Sequence, residues 1–135
     1  MRNLIKKILR EEIDDLEWAK DLMDQLRYHE DKRLKGYLNA DNKRMGYWEI
    51  YWPNGKLYSK GEYINDKETG PWEYYYSNGK LWQKGEYING ERTGSWEIYW
   101  PNGKLYSKGE YINDKETGPW EYYHDNGELG EIVEY

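Results

Sequence analysis

The chain has 135 residues, a formal net charge of −6, and an aromatic complement of 16 Tyr and 8 Trp with no Phe and no Cys. A mean hydropathy of −1.26 is too polar for an aliphatic core or a membrane span, while the ring content is too high for a disordered chain. The missing Cys excludes disulfides, thiolate zinc sites and thiol nucleophiles, and the acidic balance weighs against nucleic acid and anionic surfaces, which demand clustered cations.

Residues 3–27 contain no Gly or Pro, and Ile5, Ile8, Leu9, Ile13, Leu16, Ala19, Leu22, Met23 and Leu26 recur at three- and four-residue steps. This spacing predicts an amphipathic helix over 1–27, about 37 Å long at 1.5 Å per residue. Its stripe reads first as structural, with a docking or homodimer helix as the alternative. Acids dominate after the first ten positions, which disfavours a membrane-surface helix. Arg2, Lys6, Lys7 and Arg10 are not followed by the apolar run of a secretory signal, so a cytoplasmic location is expected.

Residues 28–45 read as a degenerate first repeat. Tyr28-His29 and Leu34 align with Tyr123-His124 and Leu129, and Lys35-Gly36-Tyr37-Leu38-Asn39 resembles Lys60-Gly61-Glu62-Tyr63-Ile64-Asn65. Residues 46–135 then repeat with a period of 24, from starts at Gly46, Gly70, Gly94 and Gly118. The first and third copies match at 23 of 24 positions, so a 48-residue pair has been duplicated. The invariant framework is Gly46, Trp48 and Gly61, then Gly70, Trp72 and Gly85, then Gly94, Trp96 and Gly109, and finally Gly118 and Trp120.

Each copy predicts a β-hairpin: an alternating stretch from Trp48 to Trp52, turn chemistry at Pro53-Asn54-Gly55, and a second alternating stretch from Lys56 to Ile64. With Asn54-Gly55 as a two-residue turn, both at positive φ, Trp52 faces Leu57, Ile50 faces Ser59, Trp48 faces Gly61 and Glu49 faces Lys60. One face is then aromatic, and the other carries Glu–Lys pairs with Tyr51, Tyr58 and Ile64. A three-residue turn with Pro53 at its first corner is the alternative, and it would mix the faces. The first register is preferred, with each framework Gly opposite the Trp of its own hairpin so that the indole lies over bare backbone. A lone hairpin is marginal in water, so the copies must stack. The fold class expected is therefore mainly β: an elongated meander of tandem 24-residue hairpins, eight or nine strands spanning roughly 40 Å, with one N-terminal helix.

The segment Lys84-Gly85-Glu86-Tyr87-Ile88-Asn89-Gly90-Glu91-Arg92-Thr93-Gly94-Ser95-Trp96 resembles the MORN repeat in its variant form, and the pattern recurs from Gly61 to Trp72 and from Gly109 to Trp120. Asp66 and Asp114 stand where that pattern has a second turn Gly, a place an Asp at positive φ can fill. Bacterial proteins of this variant are often classed as YwqK-type antitoxins, and other MORN proteins serve as scaffolds or contact acidic phospholipid. The resemblance implies a non-enzymatic binding module with a protein partner, with phospholipid or glycan as the alternative ligand.

Chemistry has few other candidates. His29 and His124 sit near hairpin tips without metal-ligand spacing, Ser59, Ser77, Ser95 and Ser107 lack nucleophile context, and Glu49, Glu73, Glu97 and Glu121 recur with the strand as partners for Lys60, Lys84 and Lys108. No catalytic residue, metal or cofactor is expected. Lys56, Lys60, Lys80, Lys84, Lys104 and Lys108 are interleaved with Glu, which disfavours a nucleic-acid groove. The candidate binding surface is Trp52, Tyr58, Tyr76, Trp82, Trp100 and Tyr106, with the acidic end Glu121, Asp125, Glu128, Glu131 and Glu134 as a complement to a basic patch.

Overall fold

Alternation of period two, punctuated every 24 residues by Asn-Gly or Asn-Asp turns, produces a single antiparallel sheet in the computed structural model, which describes residues 24–135. Its strands are β1 (Arg27–Glu30), β2 (Leu34–Leu38), β3 (Arg44–Tyr51), β4 (Leu57–Ile64), β5 (Lys67–Tyr75), β6 (Leu81–Ile88), β7 (Glu91–Tyr99), β8 (Leu105–Ile112), β9 (Lys115–Tyr123) and β10 (Leu129–Glu134). Strand order in the sheet equals chain order, an uninterrupted meander. Ten strands exceed the expected eight or nine because β1 and β2 form a full, short hairpin within the degenerate repeat. The helix expected over 1–27 lies outside the described residues except at its end, where Arg27 already belongs to β1.

The hairpin tips combine the two expected turns. Gly55 N–H donates to Trp52 O (3.0 Å) and Trp52 N–H to Lys56 O (2.7 Å), so Pro53 occupies the first corner of a three-residue turn. Gly55 is left-handed at φ 86°, while Asn54 is not among the positive-φ residues, which corrects the expected two-residue turn. The faces stay unmixed because a β-bulge absorbs the slip: Ile50 pairs with Ser59 and Tyr51 with Leu57, leaving Tyr58 as the extra residue. The expected pairs Trp48–Gly61, Glu49–Lys60 and Ile50–Ser59 follow. Tyr58, expected on the polar face, instead packs on Trp52 and Tyr74 of the aromatic face, with ring centroids 4.8 and 6.0 Å apart. The two-residue turn with both φ positive occurs at the opposite end, at Asn65-Asp66 (49° and 67°), Asn89-Gly90 (52° and 84°) and Asn113-Asp114 (48° and 67°).

The framework Trp and Gly meet differently from the expectation. Trp48 is in register with Gly61, yet a methyl group at Gly61 would overlap the indole of Trp72, from the next hairpin. Gly36 is likewise covered by Trp48, Gly85 by Trp96 and Gly109 by Trp120. The reason is a longer excursion in the Trp-bearing strand, where Lys60 pairs with Glu73 but Glu62 with Thr69, and Gly70 turns left-handed at φ 67°. Each indole then donates to the carbonyl just past the Gly: Trp48 to Tyr37 O (2.9 Å), Trp72 to Glu62 O (3.1 Å), Trp96 to Glu86 O (3.2 Å) and Trp120 to Glu110 O (3.1 Å). The Trp–Gly contact thus joins hairpins rather than closing one.

These indoles, each no more than 2% exposed, alternate with tyrosines in one file across the sheet: Trp48, Tyr63, Trp72, Tyr87, Trp96, Tyr111, Trp120 and Tyr135. Successive rings are edge-to-face at 4.8–6.4 Å, a geometry that contributes about 0.5–1.5 kcal/mol per pair beyond area burial. A smaller cluster of Leu26, Tyr28, Tyr37 and Met45 lies at the β1–β2 end. At the other end Val133 pairs with Trp120 as Gly109 pairs with Trp96, so β10 presents a branched side chain where the earlier hairpins present bare backbone.

Candidate interaction surface

The residues at the seventh position of each copy, Trp52, Tyr76, Trp100 and His124, directly follow the first strand of each hairpin. Their polar atoms reach forward: Trp52 Nε1 donates to Tyr75 O (3.0 Å), the Tyr76 hydroxyl to Tyr99 O (2.6 Å) and Trp100 Nε1 to Tyr123 O (3.2 Å). The bulged residues Tyr58, Trp82 and Tyr106 lay their rings on Trp52, Tyr76 and Trp100 at 4.8, 6.0 and 4.6 Å. The structure therefore brings all six candidate residues together as a second aromatic row, parallel to the buried Trp–Tyr file and half-exposed along the tips.

The tips themselves are lashed one to the next. Asn54 Nδ2 donates to Ser77 O (2.9 Å), Asn78 Nδ2 to Pro101 O (3.1 Å) and Asn102 Nδ2 to Asp125 O (2.9 Å), while Lys56, Lys80 and Lys104 reach the carbonyls of Asn78, Asn102 and Asn126 at 3.4, 3.2 and 3.2 Å. The same Asn side chains accept from the backbone N–H two residues on, closing their own turns. These lysines hold the array together, a role that sequence spacing did not reveal because the partner carbonyl lies 22 residues away.

On the opposite face the Glu and Lys are paired in register within each hairpin, but the close ion pairs cross to the next one: Lys60–Glu73 and Lys108–Glu121, both 3.3 Å. The Tyr75 hydroxyl donates to Glu73 and that of Tyr99 to Glu97, and Tyr123 donates to Glu121 at 2.8 Å. The Tyr75 hydrogen bond, ahead of Lys60, holds the Glu73 carboxyl below its ordinary range; Tyr123 and then Lys108 do the same for Glu121. Burial, then the Glu97 carboxylate, pushes Tyr99 up to about 12. This face is zwitterionic, with ion pairs that join adjacent hairpins. Ile64, Ile88 and Ile112 repeat beside the two-residue turns and are more than half exposed.

The residues with catalytic potential stay apart. His29 Nε2, in β1, contacts Asp31 Oδ2 of the β1–β2 turn at 2.9 Å, and His124 lies at the far end of the sheet. Ser59 and Ser107 are buried, and their hydroxyls have no hydrogen-bond partner within the described residues. Among the described residues no group of three His, Cys, Asp or Glu is placed to hold a metal ion, and no helix is long and apolar enough to cross a membrane.

None of the curated proteins matches this chain. Among solved structures, TarM resembles it at 11% identity and a TM-score of 0.35, over 97% of this chain and 24% of that one. A mutant of S. aureus TarM in complex with Fondaparinux, alpha-GlcNAc-glycerol and UDP does so at 13% identity and 0.36, over 85% and 26%. The chain spans about a quarter of the length of either structure, and likeness at this level carries no argument. The MORN repeat variant family, by contrast, matches residues 46–65, 68–89, 92–113 and 116–135, each span a two-stranded hairpin of the sheet described above. With more than half of its length matched in four consecutive hairpins, the chain belongs to the MORN repeat variant family.

Proposed function

We propose that this protein is a non-enzymatic interaction module that binds another protein along its hairpin-tip edge and neutralises it by occlusion, as an antitoxin or immunity protein does. The observation that carries this reading is the half-exposed aromatic row of Trp52, Tyr58, Tyr76, Trp82, Trp100 and Tyr106. Trp and Tyr supply large contact area at small entropic cost and dominate the energetics of protein interfaces. Here Trp52, Tyr76 and Trp100 are tied to neighbouring backbone and Tyr58, Trp82 and Tyr106 pack on them, so the row is ordered before any partner arrives.

Growth measurements test the role. Each gene neighbouring this one in its host would be expressed alone and together with the chain. Rescue from a toxic neighbour is expected, and a Trp52→Ala/Trp100→Ala double variant should weaken it; the absence of any rescue would remove the antitoxin reading. Vesicles containing anionic phospholipid and a glycan array, run in parallel at low salt, distinguish the ligand-binding alternative. Binding there without a protein partner would favour it.

A further inference from the structure

The last hairpin departs from the others at one place on the aromatic face. Upstream, the bulged position carries a ring that packs on the residue six places before it: Tyr58 on Trp52, Trp82 on Tyr76 and Tyr106 on Trp100. In the last copy the corresponding pair is Gly130 and His124. Gly130 again marks an irregular register, with Leu129 paired to Tyr123 and Glu131 to Tyr122. A methyl group placed on it would lie 3.2 Å from both His124 Nε2 and Tyr122 O, so a side chain here would press on the His124 ring and the β9 backbone. With hydrogen there instead, an open cleft of about 380 Å³ remains, lined by Trp100, Tyr106, Tyr122, His124, Gly130 and Glu131.

The repeat itself indicates what fits. At every upstream step the equivalent space holds the edge or face of a Tyr or Trp ring, and Tyr106 and Tyr122 already stand at 74° to one another, presenting both an edge and a face. The charge lining the cleft is that of Glu131, and Asp125, Glu128 and Glu134 belong to the same hairpin, while Lys104 is tied to Asn126 O (3.2 Å) and Lys108 to Glu121 on the opposite face (3.3 Å). We propose that this cleft receives a Trp or Tyr side chain of a partner protein, presented on a segment that carries Arg or Lys. The inference rests on the interaction-module reading and deepens it by naming the anchor and the charge of its surroundings. Guanidinium groups flanking the anchor would meet the carboxylates of β10 and stack on the exposed rings, the combination that concentrates interface energy.

The test uses the intact chain and end-blocked peptides Arg-Trp-Arg, Arg-Ala-Arg and Glu-Trp-Glu, followed through the Trp100 indole N–H and His124 ring NMR signals. Saturable shifts of both signals with Arg-Trp-Arg are expected, with affinity reduced roughly tenfold or more for each of the other peptides. Gly130→Tyr should abolish the shifts while the Trp48 and Trp72 indole signals report an intact array. Should that variant fail to fold, Glu128→Gln/Glu131→Gln should weaken Arg-Trp-Arg and leave Glu-Trp-Glu unweakened. Equal binding of Arg-Ala-Arg, undiminished binding to a folded Gly130→Tyr, or stronger shifts with chitotriose than with any peptide would overturn the proposal. If the peptides fail while the chain still rescues growth, the cleft inference falls and the module reading stands; cleft binding without rescue has the converse meaning.

Discussion

Gly61 shows how one absent side chain organises two hairpins. Its bare backbone is the seat of the Trp72 indole, whose N–H then reaches Glu62 O at 3.1 Å. Gly61→Ala is therefore expected to cost about 3 kcal/mol, because the Trp72 ring must leave a site where it is 1% exposed. Gly55→Ala, at φ 86° with open space around it, should cost about 1 kcal/mol by left-handed strain alone. Urea unfolding of the two variants checks the ranking, and equal costs would contradict the seat. The importance of Gly61 was legible in the sequence, and so was its pairing with Trp48. Which Trp covers it was not, because both Trp48 and Trp72 are close enough along the chain and only the extra residues around Gly70 decide between them.

Turn chemistry decides the behaviour of each hairpin as an element. Both turn sites were legible from Pro-Asn-Gly and Asn-Asp, and the alternation of faces followed; the bulges at Tyr58, Trp82 and Tyr106 were not, since no residue type is peculiar to them. They moved Tyr58 to the aromatic face and so assembled the candidate surface as one row. The lysine latches and cross-hairpin ion pairs were equally hidden, as they join residues of adjacent copies. At the opposite turns Asp66 takes φ 67° and accepts from Arg44 Nε at 2.8 Å, which holds its carboxyl below the ordinary 3.8; Arg92 does the same for Asp114. A carboxyl lowered by folding contributes stability above its unfolded value, and that contribution is lost as pH falls through the folded one. Asp66→Gly should then flatten the loss of stability below about pH 4. At neutral pH it should change stability by less than about 1 kcal/mol, since relieved strain offsets a half-exposed ion pair. Thermal melts from pH 2 to 7 measure both effects.

As a whole molecule the protein is a one-dimensional stack in which each hairpin touches its two neighbours. Deleting residues 70–93 should preserve the fold, because Trp96 would inherit the seat at Gly61 and the strand direction is unchanged. The shortened chain should unfold cooperatively with a smaller denaturant slope, in proportion to the surface lost. Removing residues 70–81 instead reverses the direction of every later strand, and no folded array is expected from it; circular dichroism distinguishes the two. The Trp–Tyr file also sets an alkaline limit. Burial pushes Tyr63 of the file up to about 12 and its Tyr87, with the adjoining Tyr74, upward as well, so their neutral forms are favoured by folding. Stability is complete below the ordinary tyrosine value of 10 and declines as pH rises from there towards the folded values. The part of the tyrosinate absorbance at 295 nm that belongs to these buried rings should therefore rise late and in step with loss of near-UV dichroism.

Val133 gives the array a direction of growth. A hairpin placed after β10 in the manner of its predecessors would bring a Trp onto a branched side chain instead of bare backbone. New units fit readily between existing hairpins, where the junctions offer Gly and Trp in matching positions. The near-identity of residues 46–69 and 94–117 shows such whole units being copied, the identity continuing into Lys67–Tyr75 and Lys115–Tyr123. Lineages carrying this protein should differ in length by whole hairpins inserted upstream of Trp120, while the final hairpin, its acidic charge and its open aromatic cleft are inherited unchanged.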